Sequence, residues 1–209
     1  MKLWSDNFSH GETIPADFAF GKYHPENNVE LSSNMNPHLG WSDLPEHTQS
    51  LVLICHDPDV PSSPADVNQE GKIVPSDLPR VDFYHWLLCD IAPTTTGISA
   101  GSFSKDITPR GKEPAGPFGK QGINNYTDWF KGDTDMEGTY FGYDGPCPPW
   151  NDSIVHHYHF TLYALDIPKC EVSTEMTGPD LLKSIEGHIL GQTTLVGTYT
   201  INPEAQVKN

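Results

Sequence analysis

Basic residues are scarce in this chain. Twelve lysines and arginines face 28 aspartates and glutamates, a formal charge of −16. So acidic a surface repels phosphate backbones and anionic headgroups, which argues against nucleic-acid and bulk-membrane binding. Long apolar runs are also missing. None approaches the ~18 residues of a membrane span, and the first dozen residues lack the apolar core of a signal peptide. The expectation is a soluble, cytoplasmic protein with no membrane span. The four cysteines (Cys55, Cys89, Cys147, Cys170) form no C-x-x-C pair, so reduced structural thiols are expected. There is no G-x-S-x-G nucleophile elbow, no internal repeat and no low-complexity tract. Apolar residues make up only 36% of the chain, lean but enough for a core.

Proline and glycine, by contrast, are plentiful. Nineteen prolines and 18 glycines occur without a period, the composition of a loop-rich globular domain. A length of 209 residues suits a single domain spanning 1–209.

Strand signals dominate. A short strand is expected near Phe18–Tyr23. Gln49–His56 is continuously apolar, as in a buried central strand, and Pro58 and Pro61 are expected to end it. Val81–Ile91 is a second long strand, with His85 and Leu87 on one face and Tyr84 and Trp86 on the other. Residues 62–80 and 92–138 read as long loops, with a helical turn near Asn125–Lys131. Thr177 or Gly178 caps a helix with Pro179 in its first turn and Asp180 at its positive end. Leu182, Ile185 and Ile189 would be its buried stripe. A last strand covers Thr193–Ile201. The fold class is mostly β, with a few peripheral helices, one of them near the C-terminus.

The most informative stretch is Tyr143–Asp166. Gly145-Pro-Cys-Pro-Pro149 must be a rigid loop, because proline fixes φ and lacks an N–H. The β-branched and aromatic run from Ile154 follows as a strand. His156, Tyr158 and Phe160 share one face; His157, His159 and Thr161 share the other. Polar groups beside a stiff loop are the makings of a small-ligand pocket.

Six ordered motifs stand along the chain: NPHLGW (36–41), DPDVP (57–61), YHW (84–86), GYDGPCPPW (142–150), HHYHFTLYALD (156–166) and GHILG (187–191). Together they resemble the phosphatidylethanolamine-binding protein family, also called Raf kinase inhibitor proteins, and its bacterial branch in particular. The resemblance implies a β-sandwich of two antiparallel sheets. It also implies a non-catalytic surface pocket for a small anionic ligand, such as phosphate, acetate or a phosphorylated headgroup. Its residues here would be Asp57 and Asp59 at the edge, His85 lining it, Gly145, Pro146 and Pro148 as a wall, and His156 with Tyr158 completing it. The family's eukaryotic arginine is His157 in this chain. Residues 62–80 form an insertion able to reshape the rim or a subunit contact.

A carboxylate beside His85 would favour imidazolium and burial would oppose it. Anion affinity is therefore expected to fall as pH rises through the histidine pKa. Two other readings compete. Asp57, His85 and His156 could serve acid–base hydrolysis, but no nucleophile motif accompanies them, so no catalytic residue is assigned. His157 and His159 form an H-x-H that could grip a metal ion, with His85 or an aspartate completing the shell. Facing solvent or the other sheet is the plainer reading of that pair, so no metal ligand and no cofactor are assigned. A kinase or protease partner is allowed by the resemblance, and a homodimer by the edge strands of a sandwich; neither has a sequence signature here.

Overall fold

The structure is a computed structural model describing residues 1–205. In chain order its elements are β1 (Lys2–Trp4), β2 (Gly21–His24), β3 (Asn28–Leu31), β4 (Leu39–Ser42), β5 (Ser50–Pro61), β6 (Arg80–Ile91), β7 (Gly97–Ile98), β8 (Lys120–Gln121), α1 (Tyr126–Trp129), β9 (His156–Leu165), α2 (Gly178–Ile185) and β10 (Ile189–Tyr199). The principal sheet has the order β10-β9-β5-β6-β8, a smaller one the order β1-β4-β7, and β2 and β3 form a two-stranded ribbon. Every pairing between these strands is antiparallel. The expected fold class, antiparallel sheets with a few helices, is what the chain adopts.

The faces of the principal sheet follow from strand alternation. Leu51, Leu53, Cys55, Trp86, Leu88, Phe160 and Leu162 meet Leu39, Trp41 and Ile98 of the smaller sheet in one core. Val52, Ile54, Leu87 and Cys89 point the other way and are covered by Met176, Leu181 and Ile185.

Alternation fails in the middle of β6, and the pocket depends on it. Cys55 pairs with Trp86, but His56 pairs with Tyr84, so His85 is the extra residue of a β-bulge. A bulge re-aims side chains. His85 therefore lies against Tyr158 (ring centroids 5.2 Å apart), while Leu87 belongs to the opposite layer. The expected grouping of His85 with Leu87 and of Tyr84 with Trp86 is corrected accordingly.

Two other expectations are revised. The prolines of residues 57–61 do not end β5, which runs on to Pro61. Its pairing with β9 stops at His56↔His159, while pairing with β6 continues through a bulge to Pro61↔Arg80. Proline is tolerated where one strand edge needs no N–H. In α2 the buried stripe is Leu181 and Ile185; Leu182 is exposed, and Ile189 already belongs to β10. Gly187, at φ +82°, closes the helix before a third turn can bring Ile189 round. Its start is as expected: Thr177 donates its amide and hydroxyl to Asp180 Oδ2 at 3.0 and 2.7 Å.

Candidate binding site

At one end of the principal sheet, β5, β6, β9 and the loop that leads into β9 deliver four buried ionisable groups in a row. His156 donates from Nδ1 to Asp57 Oδ2 at 2.7 Å and from Nε2 to Asp152 Oδ2 at 3.1 Å. Arg80 grips Asp152 with both terminal nitrogens, at 2.6 and 3.0 Å. The other oxygen of Asp57 accepts the Asp59 amide at 2.7 Å. Burial pushes the His156 pKa down, but the two carboxylates outweigh it and raise it to about 9. Burial likewise opposes charge on Asp57 and Asp152, and His156, joined by Arg80 at Asp152, keeps both carboxyls below their usual range. The row is thus carboxylate, imidazolium, carboxylate, guanidinium, neutral as a unit. Arg80 Nε is the one buried side-chain polar atom without a partner among the described residues.

His85 is held differently. Its Nδ1–H donates to the Asp144 carbonyl at 2.8 Å. Burial lowers its pKa to about 4 against the pull of Asp57. A neutral ring that donates from Nδ1 leaves Nε2 as an acceptor, and Nε2 has no hydrogen-bond partner among the described residues. Tyr158 stacks edge-on against this ring, its phenol kept protonated by burial and by nearby Asp57.

The loop at residues 143–149 is fixed from behind. Asp144, buried, accepts Asn34 (2.8 Å), Lys112 (2.6 Å) and Asn124 (2.8 Å). Pro146 accepts the amides of Phe20 and Gly21. A Cβ on Gly145 would fall 2.2 Å from the Phe18 carbonyl oxygen, so only glycine fits there.

These elements enclose a cavity of about 520 Å³. Asp57, His85, Pro148, His156 and Tyr158 line it; Asp59, Gly145 and Pro146 do not. Asp59 instead caps β9 on the side where its pairing with β5 has stopped, accepting the His157 amide at 2.9 Å and a hydrogen bond from its ring Nδ1 at 2.8 Å. Gly145 and Pro146 are the buried mounting, and the wall proper is Cys147–Pro149. The remaining lining is chiefly apolar, with Phe20, Phe83, Tyr126 and Phe130 inside and Leu31, Val81 and Trp129 exposed at the edge. Asp82 and Asp128 are the acidic residues of that edge.

The 62–80 insertion supplies Pro64, Val67 and Asn68 to the cavity. It is moulded around Asn151, whose side-chain amide donates to the carbonyls of Asp66 (2.8 Å), Lys72 (3.1 Å) and Gln69 (3.4 Å). Asn151 Oδ1 accepts the Asn68 amide at 2.9 Å.

Sequence reasoning missed Asp152, Arg80 and Asn151. A carboxylate four residues before His156, and an arginine that is one of only two in the chain and opens a strand, were the available signals. Nothing marked Asn151. As for the H-x-H pair, His157 is engaged by Asp59, and His159 lies against His56 (ring centroids 5.2 Å apart), on the sheet face away from the cavity.

The profile of the family described as Phosphatidylethanolamine-binding protein matches residues 4–200. The chain belongs to the phosphatidylethanolamine-binding protein family. Relatives agree. A UPF0098 protein of Chlamydia muridarum is 32% identical over 199 residues, covering 95% of this chain and 98% of its own. Another, from Methanothermobacter thermautotrophicus, is 34% identical over 166 residues, covering 79% and 83%. A solved phosphatidylethanolamine-binding protein homologue of Chlamydia trachomatis superposes with TM-score 0.64 at 27% identity, over 94% of this chain and 95% of its own. Escherichia coli YbcL shares the fold, with TM-score 0.67 at 23% identity over 95% and 97%. As a phosphatidylethanolamine-binding protein family member, the chain presents the cavity described above at the motif-bearing end of its main sheet. Among the described residues no helix is long and apolar enough to cross a membrane.

Proposed function

We propose that the protein is a non-catalytic binding protein whose cavity takes a small phosphorylated or carboxylated ligand with an apolar body, a phosphoethanolamine-like headgroup being the reference case. The observation that carries this reading is the cavity floor. Asp57, His85, His156 and Tyr158 converge there beneath mostly apolar walls, the usual composition of a ligand site. The same geometry speaks against acid–base turnover. Both nitrogens of His156 and both oxygens of Asp57 are committed to partners within the protein. Burial pushes the Cys147 thiol up to about 12, far from a nucleophile's range.

The floor also shapes the anion reading. The ion row is neutral and His85 is uncharged at neutral pH, so no free cation waits for an anion. An acidic headgroup must bind together with a proton, which His85 Nε2 takes up. Asp82 and Asp128 at the edge then favour a headgroup that carries a positive end as well. Calorimetry with phosphoethanolamine and with inorganic phosphate tests this. Phosphoethanolamine is expected to bind more tightly, and Tyr158→Phe, which removes one donor and no bulk, to weaken both by roughly five- to tenfold. Absence of binding, or equal binding by the variant, would sink the assignment. Turnover of a phosphate or carboxylate ester that vanished in His85→Gln would replace it with an enzyme.

A further inference from the structure

The other face of the principal sheet carries a second cluster of chemistry-bearing side chains. Cys89 and Asp90 are consecutive on β6, and on a regular strand they would point to opposite faces. They do not. The register passes from Leu53↔Leu88 to Leu51↔Ile91, so β6 has one residue more than β5 here. Asp90 takes the left-handed conformation, φ +58°. This bulge swings Asp90 to the Cys89 side, where its Oδ1 accepts the Cys170 amide at 2.8 Å. One ligand atom from each of Cys89, Asp90 and Cys170 lies within 4.8 Å of the other two. Met176 brings a thioether, its Sδ 3.8 Å from Cys89 Sγ. Both thiols are buried and free, while Asp90 is half-exposed and gives an entry path.

We propose that Cys89, Asp90 and Cys170, with Met176 at the fourth side, bind a thiophilic d10 metal ion, zinc being the reference case. Tetrahedral zinc with bonds to sulfur of about 2.3 Å has ligand–ligand edges of about 3.8 Å, the spacing already present between Cys89 and Met176. Soft sulfur donors select such ions over magnesium or calcium. Charge is accommodated: two thiolates and a carboxylate meet a divalent cation, and Lys120, the residue paired with Cys89 across β6 and β8, offsets the remaining negative charge. The Asp90–Cys170 amide bond would orient the carboxylate from outside the ligand shell. A bound ion would staple the 166–176 segment, and the start of α2 behind it, to β6.

The test uses the full chain without a histidine tag, reduced and stripped by a chelator, and titrated with cobalt(II). A thiolate-to-cobalt charge-transfer band saturating at one equivalent, and displaced by zinc, is expected. Cys170→Ser should abolish the band. Asp90→Asn and Met176→Leu, which spare both thiols, should weaken binding at least tenfold with unchanged circular dichroism. Cobalt binding without a charge-transfer band would place the ion elsewhere, for example on His56 and His159, and a band that survives undiminished in Cys170→Ser would place it on another thiol; either result would overturn the proposal. So would reduced protein that binds no cobalt but readily forms a Cys89–Cys170 disulfide with peroxide.

Discussion

His156 sits between two carboxylates, with Nδ1 2.7 Å from Asp57 Oδ2 and Nε2 3.1 Å from Asp152 Oδ2. Only an imidazolium can donate to both. Its pKa, depressed by burial but raised further by the carboxylates, stands at about 9 in the folded protein. The unfolded value is about 6.5. The stability it contributes is therefore complete below about 6.5 and is lost as pH climbs toward 9. His85 works in the opposite sense. Its folded pKa is about 4, so the unfolded chain takes up the proton first and stability falls as pH drops from about 6.5 toward 4. His56 and His159, lowered chiefly by burial, add to that acid limb. Urea denaturation followed across pH should give a dome peaking near pH ~6.5, each limb on the order of 3 kcal/mol. His85→Gln should flatten the acid limb and spare the alkaline one. Stability that kept rising to pH 9 would refute the imidazolium.

Breaking the row from one end gives a sharper result. In Asp57→Asn the buried imidazolium keeps only Asp152, which already serves Arg80. Removing one partner of a buried ion pair costs about 3–5 kcal/mol. The variant should lose stability on that scale, and NMR titration of the His156 ring should show its pKa falling from about 9. A stability change below about 1 kcal/mol would mean that the pair is solvated and that the row does not hold the pocket floor.

Much of the fold and part of this site could be read from the residues. Continuous apolar runs placed β5 and β6, and alternation in the stretch after Ile154 put His156 and Tyr158 on one inward face. Proline and glycine located the rigid loop. What escaped was set by bulges and by long-range polar pairing. One extra residue at His85 reverses the face assignment of everything before it, and no local pattern announces that. Asp59 reads as a second pocket acid but serves as the cap of β9, because the two halves of that interaction are 98 residues apart. Asp152, Arg80 and Asn151 lie at loop ends, where sequence periodicity carries no signal.

Ligand binding should take up a proton. His85 is neutral above about pH 4, with an acceptor nitrogen free, and a bound phosphate favours its protonated form. Affinity for phosphate should therefore decline as pH rises from about 4, not merely from the ordinary histidine value of about 6.5. The slope should approach tenfold per pH unit until the pKa of the bound state is passed. Calorimetry in two buffers of different ionisation enthalpy reads the proton directly. Uptake near one proton per ligand at neutral pH supports the mechanism; release, or no transfer with pH-independent affinity, rules it out.

The rim offers the most local prediction. Asn151 holds the insertion by four hydrogen bonds, three donated to Asp66, Gln69 and Lys72 and one accepted from Asn68. Its side chain is buried beneath the segment that carries Val67 and Asn68 to the cavity, outside the hydrophobic clusters. In Asn151→Ala the 66–72 segment loses a net of about 1–3 kcal/mol of local order. Amide exchange there should accelerate roughly ten- to hundredfold, while β5, β6 and β9 remain as protected as in the parent protein. Ligands large enough to touch Val67 should bind more weakly in the variant, and inorganic phosphate, confined to the floor, should bind unchanged. Equal losses for both would mean that the insertion positions the floor itself, through the Val74 carbonyl that accepts the Ser153 amide just beyond Asp152.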